Sequence, residues 1–216
     1  MPSDWILAIE TSVTEATIVL WADDGIVASR SFSSERSQEC DLFGPLQDVL
    51  SQLPPEESLS LVLVGTGPGS YNGARVGIAA AQAIAHVHGC GVAGLCSFEG
   101  VPHAREHQHI WAVGDARRGS YFLLPLKDGR ACPTPELLGE EELIHRLANC
   151  EGPKITFESP ERLPGNYEYI RTSSIAENLV KSWLGRTAGE QQSLQNTPVE
   201  AFYLRPPHIT KSKKKT

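Results

Sequence analysis

LSLVLVGTGPGSYNGARVGIAAAQAIAHVH, residues 59–88, is the stretch that decides the fold. Its apolar start, Leu59–Val64, predicts a buried strand, and its alanine-rich end, Ala74–His88, predicts a helix. Gly67, Gly69 and Gly73 lie between them, where the first N–H groups of a helix have no backbone partner. Such a loop suits a phosphate group, but it suits a tight structural turn equally well. The glycine spacing fits neither GxxxxGKS/T nor GxGxxG and no lysine follows, which disfavours a Walker-type NTPase.

Upstream of this stretch, apolar runs and turn signals predict three strands and then a helix. The strands are Trp5–Ile9, Ala16–Trp21 and Ile26–Phe32, with Asp24-Gly25 as the turn before the last. A helical stripe of apolar residues follows from Leu42 to Leu53, with a kink or a late start expected at Pro45. Val92–Cys96 predicts another strand after the long helix. This alternation predicts an α/β domain over residues 1–105.

The pattern starts again downstream and predicts a second, smaller α/β domain over residues 106–205. Its predicted strands are Ile110–Val113 and Ser120–Leu126, and its predicted helices are Gly139–Leu147 and Ser174–Leu184. The last residues, 206–216, form a basic tail that ends in KSKKKT. We expect this tail to be a solvated end rather than an RNA-binding arm, since four lysines neutralise few phosphates.

Composition and charge argue against a nucleic-acid-binding protein and against a membrane-spanning one. The chain has 216 residues and a net charge of −7, so its affinity cannot rest on phosphate contacts along a nucleic acid. No apolar run is long enough to span a membrane. The five cysteines are scattered: Cys40, Cys90, Cys96, Cys132 and Cys150. We therefore expect reduced thiols and a cytoplasmic protein.

A second polar group follows the first predicted strand. Glu10, Thr11 and Ser12 could present a carboxylate and two hydroxyls to a metal–phosphate group, although the same residues are common in ordinary turns. Taken with Gly67 and Gly69, they form a candidate nucleotide site.

Four segments together resemble the bacterial TsaB family, also called YeaZ, a subunit of the tRNA threonylcarbamoyladenosine machinery. They are ILAIETS (6–12), GTGPGSYNGARVGIAAAQAIA (65–85), DARRGSYF (115–122) and FYLR (202–205). The resemblance implies two related domains of the actin, sugar-kinase and Hsp70-like superfamily, the second smaller and degenerate. Two departures stand out, because Glu10 replaces the usual aspartate and Ser120 replaces the usual glutamate of the third segment.

The catalytic paralogue of that family, TsaD, carries a His-Met-Glu-Gly-His metal motif after the corresponding strand. This chain reads Ser97-Phe98-Glu99-Gly100-Val101 there, and neither Ser97 nor Val101 can supply an imidazole ligand. The sequence therefore predicts no catalytic residues and no bound metal. Since no lysine follows the glycine loop and Glu10 is longer than aspartate, we expect no tightly bound cofactor and only weak binding of ATP or ADP.

The resemblance also implies partners and a reaction. TsaD would be the heterodimer partner, TsaE the ATPase subunit, and the isolated chain would form a homodimer. The tRNA, modified at the adenosine 3′ of the anticodon, would be reached only through the complex, and no membrane is involved. Two other classes stay open, an ATP-dependent phosphotransferase of the same superfamily and, less favoured, a metallopeptidase.

The long helix is apolar on two sides, which favours a subunit interface. At 100° steps, one side, including Val76, Ala80 and Val87, is predicted to face the core. The other side then predicts an interface stripe: Arg75, Ile78, Gln82 and Ala85, joined by Leu42 and Leu46 of the preceding helix.

Three histidines and one ion pair complete the candidates. His103, His107 and His109 would share a helix face in part and could hold zinc, but no HExxH motif accompanies them. Asp115 and Arg117 are expected to form a surface or interdomain ion pair beside a turn.

Overall fold

The computed structural model describes residues 4–23, 25–33 and 42–204. Asp24 of the predicted turn, Cys40 and the basic tail 206–216 lie outside the described residues, as does the side chain of His103. Within the described part of the chain, no helix is long and apolar enough to cross a membrane.

The first half of the chain builds a five-stranded mixed sheet. Its strands are β1 (Trp5–Glu10), β2 (Glu15–Ala22), β3 (Gly25–Ser33), β4 (Leu59–Gly65) and β5 (Gly91–Leu95). The order across the sheet is β3-β2-β1-β4-β5. The first three strands pair antiparallel, whereas β4 runs parallel to β1 and to β5. All six residues of β1 are buried because helices cover both faces of the sheet.

Two helices, α1 (Phe43–Leu50) and α2 (Tyr71–His88), pack on one face of this sheet. Pro45 lies in the first turn of α1, which agrees with the expected late start. Helix α2 begins three residues before the predicted start, because the hydroxyl of Ser70 accepts a hydrogen bond from the Gly73 amide and caps it. Gly89, in the left-handed region at φ 64°, ends it.

The predicted facing of α2 is wrong for Ile78, Ala85 and Val87, whereas Val76 and Ala80 are partly buried against the core as expected. Ile78 and Ala85, assigned to an interface stripe, are 7% and 4% exposed and lie in the core under the helix. Val87, assigned to the core, is 80% exposed. The close approach of Gly77 to the Thr11 side chain fixes which side of α2 meets β1.

The interface prediction also fails for two residues of α1. Leu42 and Leu46 are buried against the same sheet face, at 0% and 6% exposure. Their burial follows from the apolar spacing of the helix, which the sheet itself satisfies. Arg75 and Gln82 are exposed, so their interface role stays a prediction.

The second sheet contains six strands and follows two short 3-10 turns, Ser97–Gly100 and Pro102–Arg105. Its strands are β6 (His109–Asp115), β7 (Ser120–Lys127), β8 (Arg130–Ala131), β9 (Glu136–Gly139), β10 (Lys154–Thr156) and β11 (Tyr169–Arg171). The order is β11-β10-β6-β7-β8, and β9 also pairs with β7. Helix α3 (Glu140–Ala148) covers one face through Leu143 and Leu147. The two mixed sheets with their helices confirm the predicted α/β class.

The chain then returns to the first sheet. Helix α4 (Ala176–Leu184) packs on the face opposite α1 and α2, burying Leu179, Val180 and Trp183 against β1, β2 and β4. Helix α5 (Ala188–Gln195) contacts β5. Residues 176–195 were assigned by sequence to the second domain, but their packing places them with the first sheet.

Candidate functional site

A cleft of about 820 Å³ lies between the two sheets. The glycine loop and the residues after β1 form one wall, and the ends of β6, β10 and β11 form the other. Residues 201–204 complete the lining. This cleft includes Ser12, Gly67 and Gly69 from the predicted nucleotide site.

Glu10, by contrast, is fully buried beneath the cleft and does not line it. One carboxylate oxygen accepts hydrogen bonds from the Ser12 amide at 2.8 Å and the Ser12 hydroxyl at 2.7 Å. The other accepts one from the Ser174 hydroxyl at 2.9 Å. The carboxylate is packed so closely that a Cβ on Gly65 would lie 2.1 Å from it. Glu10 therefore serves an internal hydrogen-bond network rather than an open ligand site.

The Thr11 side chain also makes its contacts inside the protein. Its hydroxyl donates to the carbonyl of Gly73 at 2.8 Å, and its side chain fills the space above Gly77. The loop glycines have a matching structural role, since a Cβ on Gly69 would lie 2.3 Å from the Ser12 carbonyl oxygen. Only glycine permits the loop to approach β1 this closely. Gly67 and Gly69 still line the cleft, where a ligand could reach their backbone.

The far wall of the cleft brings residues that the sequence did not single out. Phe157 stacks on Phe98 with ring centroids 3.9 Å apart and nearly parallel planes. Arg162 and Arg171 also line this wall and are exposed. Phe157 follows β10, Arg171 ends β11, and Arg162 ends the 3-10 turn Pro160–Arg162. Elements of three residues leave almost no periodic signal in a sequence.

The segment aligned with the metal motif of TsaD is built into the fold. The Ser97 hydroxyl accepts from the Gly67 amide at 2.9 Å and shares a 2.7 Å hydrogen bond with the Ser12 hydroxyl. Glu99 is 5% exposed and pairs with Arg186 at 2.5 Å. Val101 is a core residue. Among the described residues, no three histidine, cysteine, aspartate or glutamate side chains are gathered where they could hold a metal ion.

The histidines do not share a helix. The 3-10 turn that contains His103 ends at Arg105, His107 follows it, and His109 begins β6. The helical spacing that suggested a zinc site is therefore not formed. Asp115 and Arg117 do form the expected ion pair, at 3.6 Å, with Arg117 almost fully exposed.

Comparison with known proteins identifies a family and relatives that resemble this chain in sequence. Residues 47–130 match the family TsaD: tRNA N6-adenosine threonylcarbamoyltransferase. An uncharacterized protein of Mycobacterium leprae is 31% identical over 57% of this chain and 36% of its own length. The tRNA threonylcarbamoyladenosine biosynthesis protein TsaB of Bacillus subtilis is 28% identical over 54% of this chain and 52% of its own. The matched regions thus span between a third and about half of these two relatives.

Solved structures share the fold over most of the chain. A Pseudomonas aeruginosa protein described as similar to peptidase YeaZ superposes with a TM-score of 0.66, at 17% identity, over 93% of this chain and 99% of its own. YeaZ from the same organism gives 0.62 at 19% identity, over 82% and 89%. These two structures show that the chain shares the α/β fold of YeaZ. The chain is therefore similar in sequence to TsaB and TsaD proteins and similar in fold to YeaZ structures.

Proposed function

We propose that this chain is a non-catalytic subunit for tRNA N6-threonylcarbamoyladenosine formation, at the adenosine 3′ of the anticodon, and that it acts by binding and supporting TsaD. The observation that carries the proposal is the segment aligned with the TsaD metal motif. Ser97 and Val101 replace the two histidines, and both are buried in internal contacts. A divalent cation would find neither nitrogen ligands nor space there.

Two buried carboxylates, Glu10 and Glu99, also support a non-catalytic role. The Glu10 carboxylate accepts three internal hydrogen bonds, and Glu99 is paired with Arg186. Neither carboxylate is presented to the cleft as a base or as a metal ligand. In this proposal TsaD carries out the chemistry of the complex, and this chain contributes a binding surface.

A surface on α1 and α2 suits that role. Phe43 is 75% exposed and Val87 is 80% exposed, although both are large apolar residues on helices that cover the same sheet face. Ala79 and Ala83 are also exposed on α2, together with Arg75 and Gln82 from the predicted stripe. Exposed apolar and small residues on these two helices would allow a partner helix to approach closely. This surface would take TsaD in the complex and a second copy in isolation, whereas TsaE and tRNA would be reached through TsaD.

The test is a double variant, Phe43→Asp with Val87→Asp, assayed for TsaD pull-down, sedimentation and tRNA modification. Both side chains are mostly exposed, so the monomer should fold, but two carboxylates buried without partners should weaken association at least 100-fold. Leu184→Asp is the matched control, since Leu184 is 48% exposed on α4, on the opposite face of the sheet. A double variant that folds and still binds TsaD as tightly would contradict the proposal.

Nucleotide binding separates this proposal from the phosphotransferase alternative. With Glu10 buried and no lysine among the residues lining the described cleft, ATP and ADP should bind only weakly. Calorimetry on the isolated chain measures this directly. Sub-micromolar affinity with hydrolysis would favour the phosphotransferase.

A further inference from the structure

Three arginines from separate elements meet around Gly185, on the α4 side of the molecule. The Arg130 guanidinium, from β8, donates through Nη2 to the Gly185 carbonyl at 2.6 Å. Arg105, at the end of a 3-10 turn, places its Nη2 3.9 Å from where a Cβ on Gly185 would lie. Arg186 follows Gly185 directly and donates from Nη1 to the Ser182 carbonyl at 2.7 Å. The cluster therefore joins an edge of the second sheet to the helices packed on the first.

Two carboxylates form ion pairs with two of these three arginines. Glu99 pairs with Arg186, and both side chains are less than a tenth exposed. Glu190, on α5, pairs with Arg130. Arg105 makes neither an ion pair nor a hydrogen bond with any part of the chain that the structure describes. Arg105 thus has no ion-pair partner of its own among the described residues, and the nearby Glu99 already pairs with Arg186.

The position of Arg105 is set by packing rather than by a partner. Its Cγ lies 2.8 Å from where a Cβ on Gly129 would be, so its stem runs across that glycine. Partial burial lowers the pKa of Arg105, and the positive charges of Arg186 and Arg130 lower it further, against the opposing effect of Glu99. The guanidinium is therefore held beside like charges, which is unfavourable unless an anion joins them.

We propose that Arg105, with the partly exposed Arg130 beside it and the buried charge of Arg186 behind it, binds a phosphate-class oxyanion that completes the charge balance between the two sheets. Guanidinium groups match the oxygens of phosphate with paired N–H donors. The net charge of −7 opposes a long polyanion, so the ligand is a small one, either inorganic phosphate or the phosphate of a mononucleotide. This site lies apart from the cleft, whose lining includes none of the three arginines.

The proposal makes a specific claim about Arg105→Gln. Without the anion, this change removes a charge that only like charges and one already paired carboxylate surround, so the melting temperature should stay equal or rise. With phosphate, wild-type protein should gain roughly 2–4 °C at about ten times the dissociation constant, and the variant should gain nothing. A merely structural Arg105 would instead lower the melting temperature and leave the phosphate response unchanged.

The experiment compares the full chain in phosphate, in adenosine monophosphate and in chloride at matched ionic strength. Arg30→Gln is the control, because Arg30 is an exposed arginine on β3 that does not line the cleft. A response to phosphate that Arg105→Gln abolishes and Arg30→Gln retains supports the site. The larger of the responses to inorganic phosphate and to adenosine monophosphate identifies the source of the phosphate group. An equal response in chloride, or a full response in Arg105→Gln, overturns it.

Discussion

At the scale of single residues, Glu10 is a structural carboxylate, and its removal should be costly. Glu10→Ala leaves the Ser12 amide and the Ser174 hydroxyl without their acceptor and opens a cavity beside Gly65. We expect the free energy of unfolding to fall by about 2–4 kcal/mol, measured by urea denaturation. Glu15→Ala, at an exposed position, is the control and should change it by less than about 0.5 kcal/mol. Unchanged stability of Glu10→Ala would indicate that the carboxylate is not needed by the fold.

Tyr169 makes the free energy of unfolding depend on pH in the alkaline range. Burial, with smaller effects of Tyr167 and Tyr121, raises the pKa of Tyr169 to about 12, and its hydroxyl donates to the Pro164 carbonyl at 2.7 Å. Since the folded state holds this proton more tightly than the unfolded state, whose tyrosine pKa is about 10, its stabilising contribution is complete below pH 10. That contribution is lost as the pH rises towards 12 and above.

The measurement is the urea midpoint as a function of pH. Wild-type stability should fall between about pH 10 and 12, and Tyr169→Phe should reduce this slope while costing about 1 kcal/mol at neutral pH. Val87→Ala, at an exposed position without an ionisable group, should retain the wild-type slope. An unaltered slope in Tyr169→Phe would show that another group carries the alkaline transition.

The candidate site could be predicted from the sequence only where its residues are close in the chain. The sequence predicted a phosphate loop or a tight turn at Gly67 and Gly69, and the structure shows a close approach of Gly69 to Ser12. The role of Glu10 was missed because its partner Ser174 lies 164 positions away. Ser174 carries no local pattern of its own, so no spacing argument could join the two. Arg162 and Arg171 were missed for the same reason.

At the scale of elements, the corrected facing of α2 reverses the expected effect of one substitution. Ile78 is buried under α2, so Ile78→Asp places an unpaired carboxylate in the core and should unfold the chain, at a cost of several kcal/mol. Ala79→Asp, one position along on the exposed side, should fold normally. Circular dichroism and thermal melts of both variants test this. A folded Ile78→Asp would restore the facing predicted from sequence.

The error in α2 has a physical source. Helix facing is predicted from contrast between apolar and polar sides, and α2 has alanines all around its axis. Helices with contrast, such as α3 with its acidic first turn and buried Leu143 and Leu147, were predicted within one residue of their bounds. Helix α5 was missed because its sequence AGEQQSLQ buries no residue and so shows no apolar stripe.

At the scale of the whole molecule, the two sheets are not independent units. Residues 199–204 connect them, since Ala201 packs in the core under α2 and Leu204 packs against the core of the second sheet. The Phe202 amide donates to the Thr66 carbonyl at 2.8 Å, which holds this segment against the glycine loop. Residues 199–204 therefore hold the two sheets together at the cleft.

This connectivity predicts how the chain can be divided. A fragment of residues 1–105, the predicted first domain, contains all five strands of its sheet but lacks α4, which buries Trp183 and its neighbours on one face. That face would be exposed to water with its apolar residues Ile6, Ala8 and Leu63 uncovered. Because uncovered apolar area of this size removes much of the stability of a small domain, the fragment should not fold alone.

Nuclear magnetic resonance and circular dichroism of the fragment test that expectation against two controls. The full chain and residues 1–204 should both give dispersed spectra and one cooperative thermal transition, because the shorter chain keeps every described contact of α4, α5 and residues 199–204. The 1–105 fragment should give collapsed spectra, and a dispersed, cooperative fragment would mean that α4 is dispensable for the first sheet. Since α4 reaches β1 only after the chain has passed through the second sheet, we expect the two halves to fold as one unit.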